Sequence, residues 1–212
     1  IITNKEIANS IYDSIEIFDE PYADPSTVPS YLLSKAISED YKVAISGDGG
    51  DELLGGYDRI SFLMDPSRKR LNFLSHINKI YPNHFGTGTK FRRYSSNLSS
   101  AIESFFTDPN LLSLMNRNYM SDFNKKFFIN TGDDYKSILL TEYKFYLSEM
   151  MMLKIDRTSM SNSLEIRSPF VDHRLIEYMM SVSSKSYNFK FPKAQLKNYL
   201  SNDFSQDFTN RK

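Results

Sequence analysis

Residues 41–52 read YKVAISGDGGDE, an apolar run that passes directly into a loop of glycines and acids. The apolar part, residues 41–46, is short and contains β-branched residues, which predicts a buried parallel strand. In open α/β sheets, ligands bind at the carboxyl ends of the strands. The loop of residues 46–52 is therefore a candidate binding site.

The composition of this loop favours phosphate chemistry. Its glycines let backbone N–H groups approach an anion closely. Asp48, Asp51 and Glu52 would repel a bare phosphate, but Mg²⁺ binds one or two carboxylates together with phosphate oxygens. The loop is not a P-loop of the Walker type, because no Gly-Lys-Ser/Thr sequence follows its glycines. On composition alone, a surface turn whose acids cap a helix explains the loop equally well.

A second segment, residues 150–172, reads MMMLKIDRTSMSNSLEIRSPFVD. Lys154 and Arg157 are three residues apart, so they share a face if the segment is helical. The lysine could neutralise a phosphate and the arginine could hold a carboxylate in a fork. A solvated cluster of local ion pairs is the simpler explanation of the same charges, and the three methionines are typical of a core.

The rest of the chain is predicted to be helical. Helical periodicity and capping residues, with Asp133 or Asp134 starting the longest helix, predict helices over residues 4–18, 28–37, 133–153, 172–182 and 194–200. Residues 41–46 form the only strand that the pattern predicts. Since one strand cannot form a sheet, other strands lie outside the chain or escape the pattern.

Composition excludes several classes of protein. The 212 residues carry 26 basic and 26 acidic side chains, a balance that argues against a nucleic-acid partner. The absence of cysteine excludes disulfides and thiolate chemistry. The sequence contains no apolar run long enough to cross a membrane, and residues 1–5 (IITNK) lack the pattern of a signal peptide, so we expect neither feature in these residues. The histidines, His76, His84 and His173, lack metal-ligand spacing.

Taken together, the motifs resemble a known family. Residues 46–57 (SGDGGDELLGGY) match S-G-[DE]-G-x-D-E-x-x-G-G-Y, residues 154–160 match K-x-D-R-x-[ST]-M, and residues 165–172 match E-x-R-x-P-F-x-D. Residues 19–34 are similar to the segment that precedes the strand. These patterns resemble the synthetase domain of the glutamine-dependent asparagine synthetases.

The resemblance implies a fold and a reaction. The fold would be α/β and mostly helical, part of an adenine-nucleotide α-hydrolase-like (ATP-pyrophosphatase) parallel sheet with helices on both faces and a helical insert. The reaction would convert aspartate to asparagine through β-aspartyl-AMP. It would use ATP and Mg²⁺, with ammonia supplied by a glutaminase domain of the parent chain.

The resemblance also assigns roles to individual residues. Ser46 and Gly47 occupy positions where the backbone contacts ATP, and Asp51 occupies an ATP-site position that binds Mg²⁺. Asp48 occupies the position at which the family has an acidic residue that takes part in formation of the acyl-adenylate. Lys154 stands where a lysine neutralises the α-phosphate and pyrophosphate in the transition state, so we predict it to be both catalytic and ATP-binding.

We expect the chain to be an interior fragment of one synthetase domain. Its predicted parts are an α/β part over residues 1–58 with the nucleotide loop, a helical region over 59–150, and a helical part over 151–212. The family's S-G-G-x-D-S loop, K-x-G-F segment and glutaminase domain do not occur in this sequence, so we expect the chain alone not to turn over ATP. The resemblance implies a cytoplasmic enzyme without a membrane or nucleic-acid partner, and it is compatible with a homodimer.

Two alternatives remain open. The resemblance extends to relatives that amidate other carboxylates, such as the sugar acids of surface polysaccharides, and to β-lactam-forming synthetases, which usually lack an acid at the position of Asp48. A non-catalytic interaction module descended from a synthetase domain is the other alternative. The intact Asp48, Asp51, Lys154 and Asp156 argue against it.

Overall fold

A computed structural model describes residues 4–71, 93–94, 96–106, 119–186 and 193–209. In this part the chain is mostly helical with a small parallel sheet, which agrees with the predicted α/β class. The chain divides into two compact units, the first formed by Ile1–Gly49 and Lys144–Ile176 and the second by Gly50–Tyr143 and Glu177–Lys212. The division into parts at residues 58 and 150 stays a prediction.

The described residues form the following elements along the chain. In order, they are α1 (Asn4–Glu16), α2 (Thr27–Ser38), β1 (Val43–Ile45), α3 (Gly50–Leu54), α4 (Asp58–Leu63), α5 (Pro66–Leu71), α6 (Leu98–Glu103), α7 (Tyr119–Lys126), α8 (Asp134–Glu142), a π-helix (Tyr143–Met151), α9 (Met152–Met160), β2 (Glu165–Arg167), α10 (His173–Ser181), α11 (Ala194–Leu200) and α12 (Gln206–Thr209), with 3₁₀ turns at Pro169–Val171 and Ser184–Ser186. The predicted helices over residues 4–18, 28–37, 172–182 and 194–200 are confirmed within two residues at each end.

The longest predicted helix starts as expected but ends later. The Asp133 side chain caps α8 by accepting a hydrogen bond from the Lys136 N–H at 3.2 Å. The predicted end at residue 153 is wrong, because the helical backbone continues through the π-helix and α9 to Met160. Within the polar end of α9, the Thr158 hydroxyl donates back to the Lys154 carbonyl at 2.8 Å, so this side chain is satisfied by its own helix.

The expectation of a single strand is also corrected. β1 pairs in parallel with β2, and Ala44 lies opposite Ile166. The pattern missed β2 because the strand has three residues, two of which are charged. β1 is not buried as predicted, since Val43 is 41% exposed and Ile45 79% exposed. A two-stranded sheet leaves open edges and faces that cannot cover such side chains.

The two units have different interiors. In the first, α2 packs against α1 and α9, and α9 packs against β2. Its buried side chains are mostly hydroxyl groups: Ser10, Ser14, Thr27, Ser34, Thr158 and Ser159. In the second, α3 packs against α8, and α6 packs against α4 and α7. The apolar core there consists of Leu53, Leu54, Ile60, Leu63, Ala101, Ile102, Phe123, Phe127, Tyr135, Ile138 and Leu139.

Three further expectations from the sequence concern membrane spans, metal-binding clusters and the histidines. Across the described ranges, every helix is too short or too polar to traverse a lipid bilayer. The same residues contain no group of three acids or histidines placed to hold a metal ion. His173 is exposed at the start of α10, whereas His76 and His84 lie outside the described residues.

Candidate nucleotide site

The two sequence motifs meet at the carboxyl end of β1, within the first unit. The Ser46 N–H donates to the Arg167 carbonyl at 2.9 Å and so extends the parallel ladder by one residue. The hydroxyl oxygens of Ser46 and Ser168 lie 2.7 Å apart and share a hydrogen bond. The glycine-rich loop and the E-x-R-x-P-F-x-D segment therefore leave the sheet side by side.

Glycine is required at one position of this loop. Gly49 has φ +86°, in the left-handed region, and a Cβ there would lie 2.6 Å from Val171 Cγ1. A Cβ on Gly47 would meet nothing within 4 Å, and Asp48 beside it is half-buried. Among the described residues, the loop thus packs against its neighbour at Gly49 and is open at Gly47, where a ligand's anionic group could approach the backbone.

Lys154 is buried on α9, and its ammonium group bonds to side chains outside the glycine-rich loop. The side chain is only 4% exposed. Its Nζ lies 2.6 Å from Ser26 Oγ, 3.3 Å from Asp24 Oδ2 and 3.4 Å from Met151 Sδ. A buried ammonium must be paired and hydrogen-bonded to be tolerated, and these contacts meet that requirement.

Asp24 is held as an anion in this arrangement. Its Oδ1 accepts hydrogen bonds from the Ser26 backbone N–H at 2.7 Å and from the Ser26 hydroxyl at 2.6 Å. Burial would raise the pKa of Asp24, but the hydrogen bonds from Ser26 and the charge of Lys154 together lower that pKa below its ordinary value. The negative charge that faces Lys154 is therefore stable.

The loop between α1 and α2 (residues 17–26) also contacts the π-helix and α9, at one point each. The Tyr22 hydroxyl donates to the Met150 carbonyl at 2.6 Å, and Arg157 Nη2 lies 2.6 Å from Asp19 Oδ2. Burial, and to a smaller extent the charge of Asp24, raises the pKa of Tyr22 to about 12, so its hydroxyl remains a donor near neutral pH. The face that Lys154 and Arg157 share, predicted from their spacing, is the one that this loop covers.

An open cavity lies at the outer end of this contact. Its lining residues are Phe18, Asp19, Glu20, Leu153 and Arg157. The Arg157–Asp19 pair at its edge is largely exposed, with 41% and 82% of the side chains accessible. Exposed pairs of this kind contribute little to stability, about 0–1 kcal/mol.

Asp51 belongs to the second unit, where it is paired with a lysine. Its Oδ1 lies 2.7 Å from Lys193 Nζ, and both side chains are about one third exposed, at 37% and 35%. The Gly56 N–H donates to the Asp51 carbonyl at 2.8 Å. A Cβ on Gly56 would collide with the Asp51 carboxylate and the Lys193 side chain, so a larger residue there would displace this pair.

Asp51 has the donor chemistry that Mg²⁺ requires. Mg²⁺ is usually held by one or two carboxylates, with substrate phosphates and waters completing its shell. One accessible carboxylate is therefore sufficient from the protein. Lys193 occupies one of its oxygens in this structure and would have to yield that oxygen to a cation.

The residues after Asp51 are fixed by buried charges. The Tyr57 hydroxyl donates to Glu52 Oε1 at 2.7 Å, and burial raises the pKa of Glu52 although this hydrogen bond opposes the shift. Arg59 forms a two-bond fork with Glu142, at 2.8 and 2.7 Å, and lies 3.8 Å above the Tyr57 ring centroid. This network attaches the end of the first motif to α8.

The structure brings some of the predicted site residues together. Ser46, Gly47 and Asp48 form one loop, and Lys154 lies in the same unit, whereas Asp51 lies in the other. The ligand-binding and catalytic roles of all five residues stay predictions.

Sequence reasoning missed Asp24 and Ser26. Both lie in residues 19–34, which were noted only because they are similar to the segment that precedes the strand in the family. The available signal was the acid and hydroxyl two residues apart, directly before a helix.

Comparison with known proteins establishes the family. The asparagine synthase family model matches residues 1–211. The chain belongs to the asparagine synthase family, and the predicted resemblance is confirmed.

The chain is similar to asparagine synthetase [glutamine-hydrolyzing] 1 of Bacillus subtilis, with 29% identity over 81% of this chain and 30% of that protein. It is 27% identical to asparagine synthetase [glutamine-hydrolyzing] 2 of the same organism, over 92% of this chain and 24% of the relative. A putative asparagine synthetase of Methanocaldococcus jannaschii is 40% identical over 31% of this chain and 13% of its own length. The chain thus spans less than a third of the length of these relatives.

Proposed function

We propose that this chain is the adenylating part of an enzyme that converts aspartate to asparagine, with ATP as the activating substrate and glutamine as the source of ammonia. The observation that carries the proposal is the junction of the two motifs at Ser46 and Ser168, with the buried Lys154 on the helix that leads into β2. Membership of the asparagine synthase family, and relatives named as glutamine-hydrolysing asparagine synthetases, support the same reaction.

The proposed reaction has two steps. First, an oxygen of the aspartate side-chain carboxylate attacks the α-phosphorus of ATP, and pyrophosphate leaves. Ammonia then attacks the acyl carbon and loses a proton, and AMP leaves with the oxygen that came from the carboxylate. Once the acyl-adenylate and ammonia lie together, proximity supplies most of what the second step needs.

The residues act mainly by positioning and charge. The backbone N–H of Gly47 would bind a phosphate oxygen at the open part of the loop. Ser46, whose own N–H donates to Arg167, would contact ATP through its other backbone atoms, and Asp48 would act in formation of the acyl-adenylate. The ammonium of Lys154 neutralises the charge that develops on the α-phosphate and the leaving pyrophosphate, which is the usual form of catalysis in phosphoryl chemistry. Asp51 would hold Mg²⁺, which neutralises phosphate charge when bound.

The wider setting of this site follows from the same proposal. A parallel strand pair with a loop at its carboxyl end supports the ATP-pyrophosphatase arrangement, in which β1 and β2 would be two strands of a larger sheet. A glutaminase domain of the parent chain would supply the ammonia. The enzyme would be cytoplasmic and could be a homodimer, and it would need no nucleic-acid or membrane partner.

The experiment is product analysis with the full-length protein. It is given ATP, Mg²⁺, glutamine and aspartate, and mass spectrometry identifies the products. We expect asparagine and AMP in equal amounts. AMP formation only with another acid, such as a sugar acid, would replace aspartate as the acceptor, and the absence of any nucleotide chemistry would contradict the proposal.

A lysine substitution tests the assigned roles. Lys154→Ala should reduce AMP formation by at least about 100-fold, because a preorganised charge on the reacting phosphates is lost. Lys35→Ala, at an exposed position of α2 in the same unit, is the matched control and should retain wild-type activity. Near-normal AMP formation by Lys154→Ala would show that this lysine has a different role.

A further inference from the structure

The hydrogen bonds of Lys154 are of unequal strength. An ammonium group has three donors. Two of its neighbours, Ser26 Oγ at 2.6 Å and Asp24 Oδ2 at 3.3 Å, are oxygens, whereas the third, Met151 Sδ at 3.4 Å, is a thioether and a weak acceptor. The donor directed at Met151 is therefore the one that an incoming phosphate oxygen can recruit at the smallest cost.

Ser26 is oriented so that it accepts from the lysine. Its hydroxyl hydrogen is donated to Asp24 Oδ1 at 2.6 Å, which leaves a lone pair of the same oxygen directed at Lys154 Nζ. The Ser26 backbone N–H donates to that carboxylate oxygen as well, at 2.7 Å. Asp24 and Ser26 thus form one rigid acceptor with two contact points for the ammonium.

The Ser26 side chain does not cap α2, although its position in the chain would allow it to do so. It occupies the N-cap position of α2, where a serine hydroxyl normally accepts a hydrogen bond from a backbone N–H of the first turn. The Ser26 side chain makes no such capping bond. Its hydroxyl is used for Asp24 and Lys154 instead, which favours a role beyond stabilising the helix.

We propose that Asp24 and Ser26 are positioning residues for the adenylation step, holding the ammonium of Lys154 at two points and leaving its third N–H for the phosphates. This inference rests on the proposed function, because it assumes that Lys154 acts on the reacting phosphates. Buried ion pairs are weak evidence for a stabilising role, since apolar replacements are often equally stable. Removing only one partner still lowers stability, because the other charge is left buried and unpaired, so the test reads the position of Lys154 separately from stability.

The test uses four variants of the full-length enzyme. Asp24→Asn removes the charge, Ser26→Ala removes the hydroxyl, and Ser26→Thr keeps a hydroxyl at the same atom. Asp40→Asn, at an exposed aspartate in the same unit, is the matched control. For each variant, kcat and KM for ATP are measured from AMP formation, and the thermal unfolding midpoint is recorded.

A second measurement reports on Lys154 without turnover. The protein is treated briefly with an amine-acylating reagent, and mass spectrometry gives the labelling rate of the peptide that contains Lys154. In the wild type this lysine should be labelled slowly, because it is buried and all three donors have partners. Asp24→Asn and Ser26→Ala should label several-fold faster, whereas Asp40→Asn and Ser26→Thr should label at close to the wild-type rate.

A positioning role predicts a specific kinetic pattern. Asp24→Asn should lower kcat about 100-fold, the order of loss seen when a reacting group is misplaced by about 1 Å, with little change in KM for ATP. Ser26→Ala should lower kcat roughly tenfold, as expected for one hydrogen bond, and Ser26→Thr should restore most of it. Wild-type kcat and labelling in both Asp24→Asn and Ser26→Ala would overturn the inference. Losses of kcat that follow the unfolding midpoint, with unchanged labelling, would also overturn it.

The Lys154→Ala variant separates this inference from the proposed function. If Lys154→Ala loses AMP formation while Asp24→Asn and Ser26→Ala keep it, only the positioning role fails. If Lys154→Ala keeps AMP formation, the role assigned to the lysine fails, and the positioning role fails with it.

Discussion

The first unit is built around hydroxyl groups and one buried lysine, whereas the second is built around an apolar core. In the described part of the first unit, the buried hydrophobic side chains are Leu147 and Leu164. The second unit buries leucines, isoleucines and aromatic rings between its helices. Apolar burial contributes about 25 cal/mol per Å², so the second unit has the larger internal source of stability.

Each unit contains a largely buried ion pair, and the two pairs differ in how completely the cation is held by strong acceptors. Lys154 is held by a loop carboxylate with help from a neighbouring serine, and one of its contacts is only a thioether. Arg59 is held by both oxygens of Glu142 in a closed fork. In the first arrangement one lysine donor faces only a weak acceptor, whereas in the second both carboxylate oxygens accept from the guanidinium. The difference suggests that the first pair serves chemistry and the second serves the fold.

The largest effect on stability should come from the fork. Glu142→Gln should lower the free energy of unfolding by about 3 kcal/mol, because removing one partner leaves a buried guanidinium without its carboxylate. Urea unfolding of the full-length protein measures the change, with the exposed Glu177→Gln of the same unit as control. A loss below about 1 kcal/mol, the range of an exposed ion pair, would show that the fork does not stabilise the fold.

A glycine comparison tests the packing of the nucleotide loop. Gly49→Ala should cost about 1–2 kcal/mol of stability, because it places a side chain at positive φ and against Val171. Gly47→Ala should leave the unfolding midpoint nearly unchanged, since its Cβ meets open space, while raising KM for ATP if the loop backbone binds phosphate. Equal destabilisation by both substitutions would contradict the loop geometry.

The smallest effect is a pH dependence in the first unit. Because the pKa of Asp24 is lower in the folded protein, its charge contributes stability above the unfolded pKa of about 3.9, and this contribution is lost as the pH falls through the folded value. The stability difference between wild type and Asp24→Asn should be full near pH 6 and shrink below about pH 4. Ser38→Ala, which removes no titratable group, should give a difference that stays flat over the same range. Denaturant unfolding at each pH decides between these results.

The sequence predicted the helices and the motifs well but not the sheet. Helices such as α2 and α10 were predictable because the spacing of their apolar residues is a local pattern. β2 was not, because a three-residue strand with Glu165 and Arg167 at its ends has no pattern of its own and is defined by pairing with β1. The exposure of Ile45 could not be read from the sequence for the same reason, since burial depends on which neighbours are present.

The site was predictable in its motifs and not in its contacts. The spacing of Lys154 and Arg157 predicted a shared helix face, and the structure shows what covers it. Asp24 and Ser26, which hold the Lys154 ammonium, lie about 130 positions before Lys154 in the sequence. Only the folded packing of α2 against α9 brings them together.

The most direct test of the central claim follows an oxygen atom. The full-length enzyme is given ATP, Mg²⁺, glutamine and aspartate labelled with ¹⁸O in its side-chain carboxylate, and mass spectrometry measures the label in AMP. If aspartate is activated as an acyl-adenylate, each AMP carries one ¹⁸O atom from the carboxylate. AMP without ¹⁸O, or ADP in place of AMP, would contradict the claim.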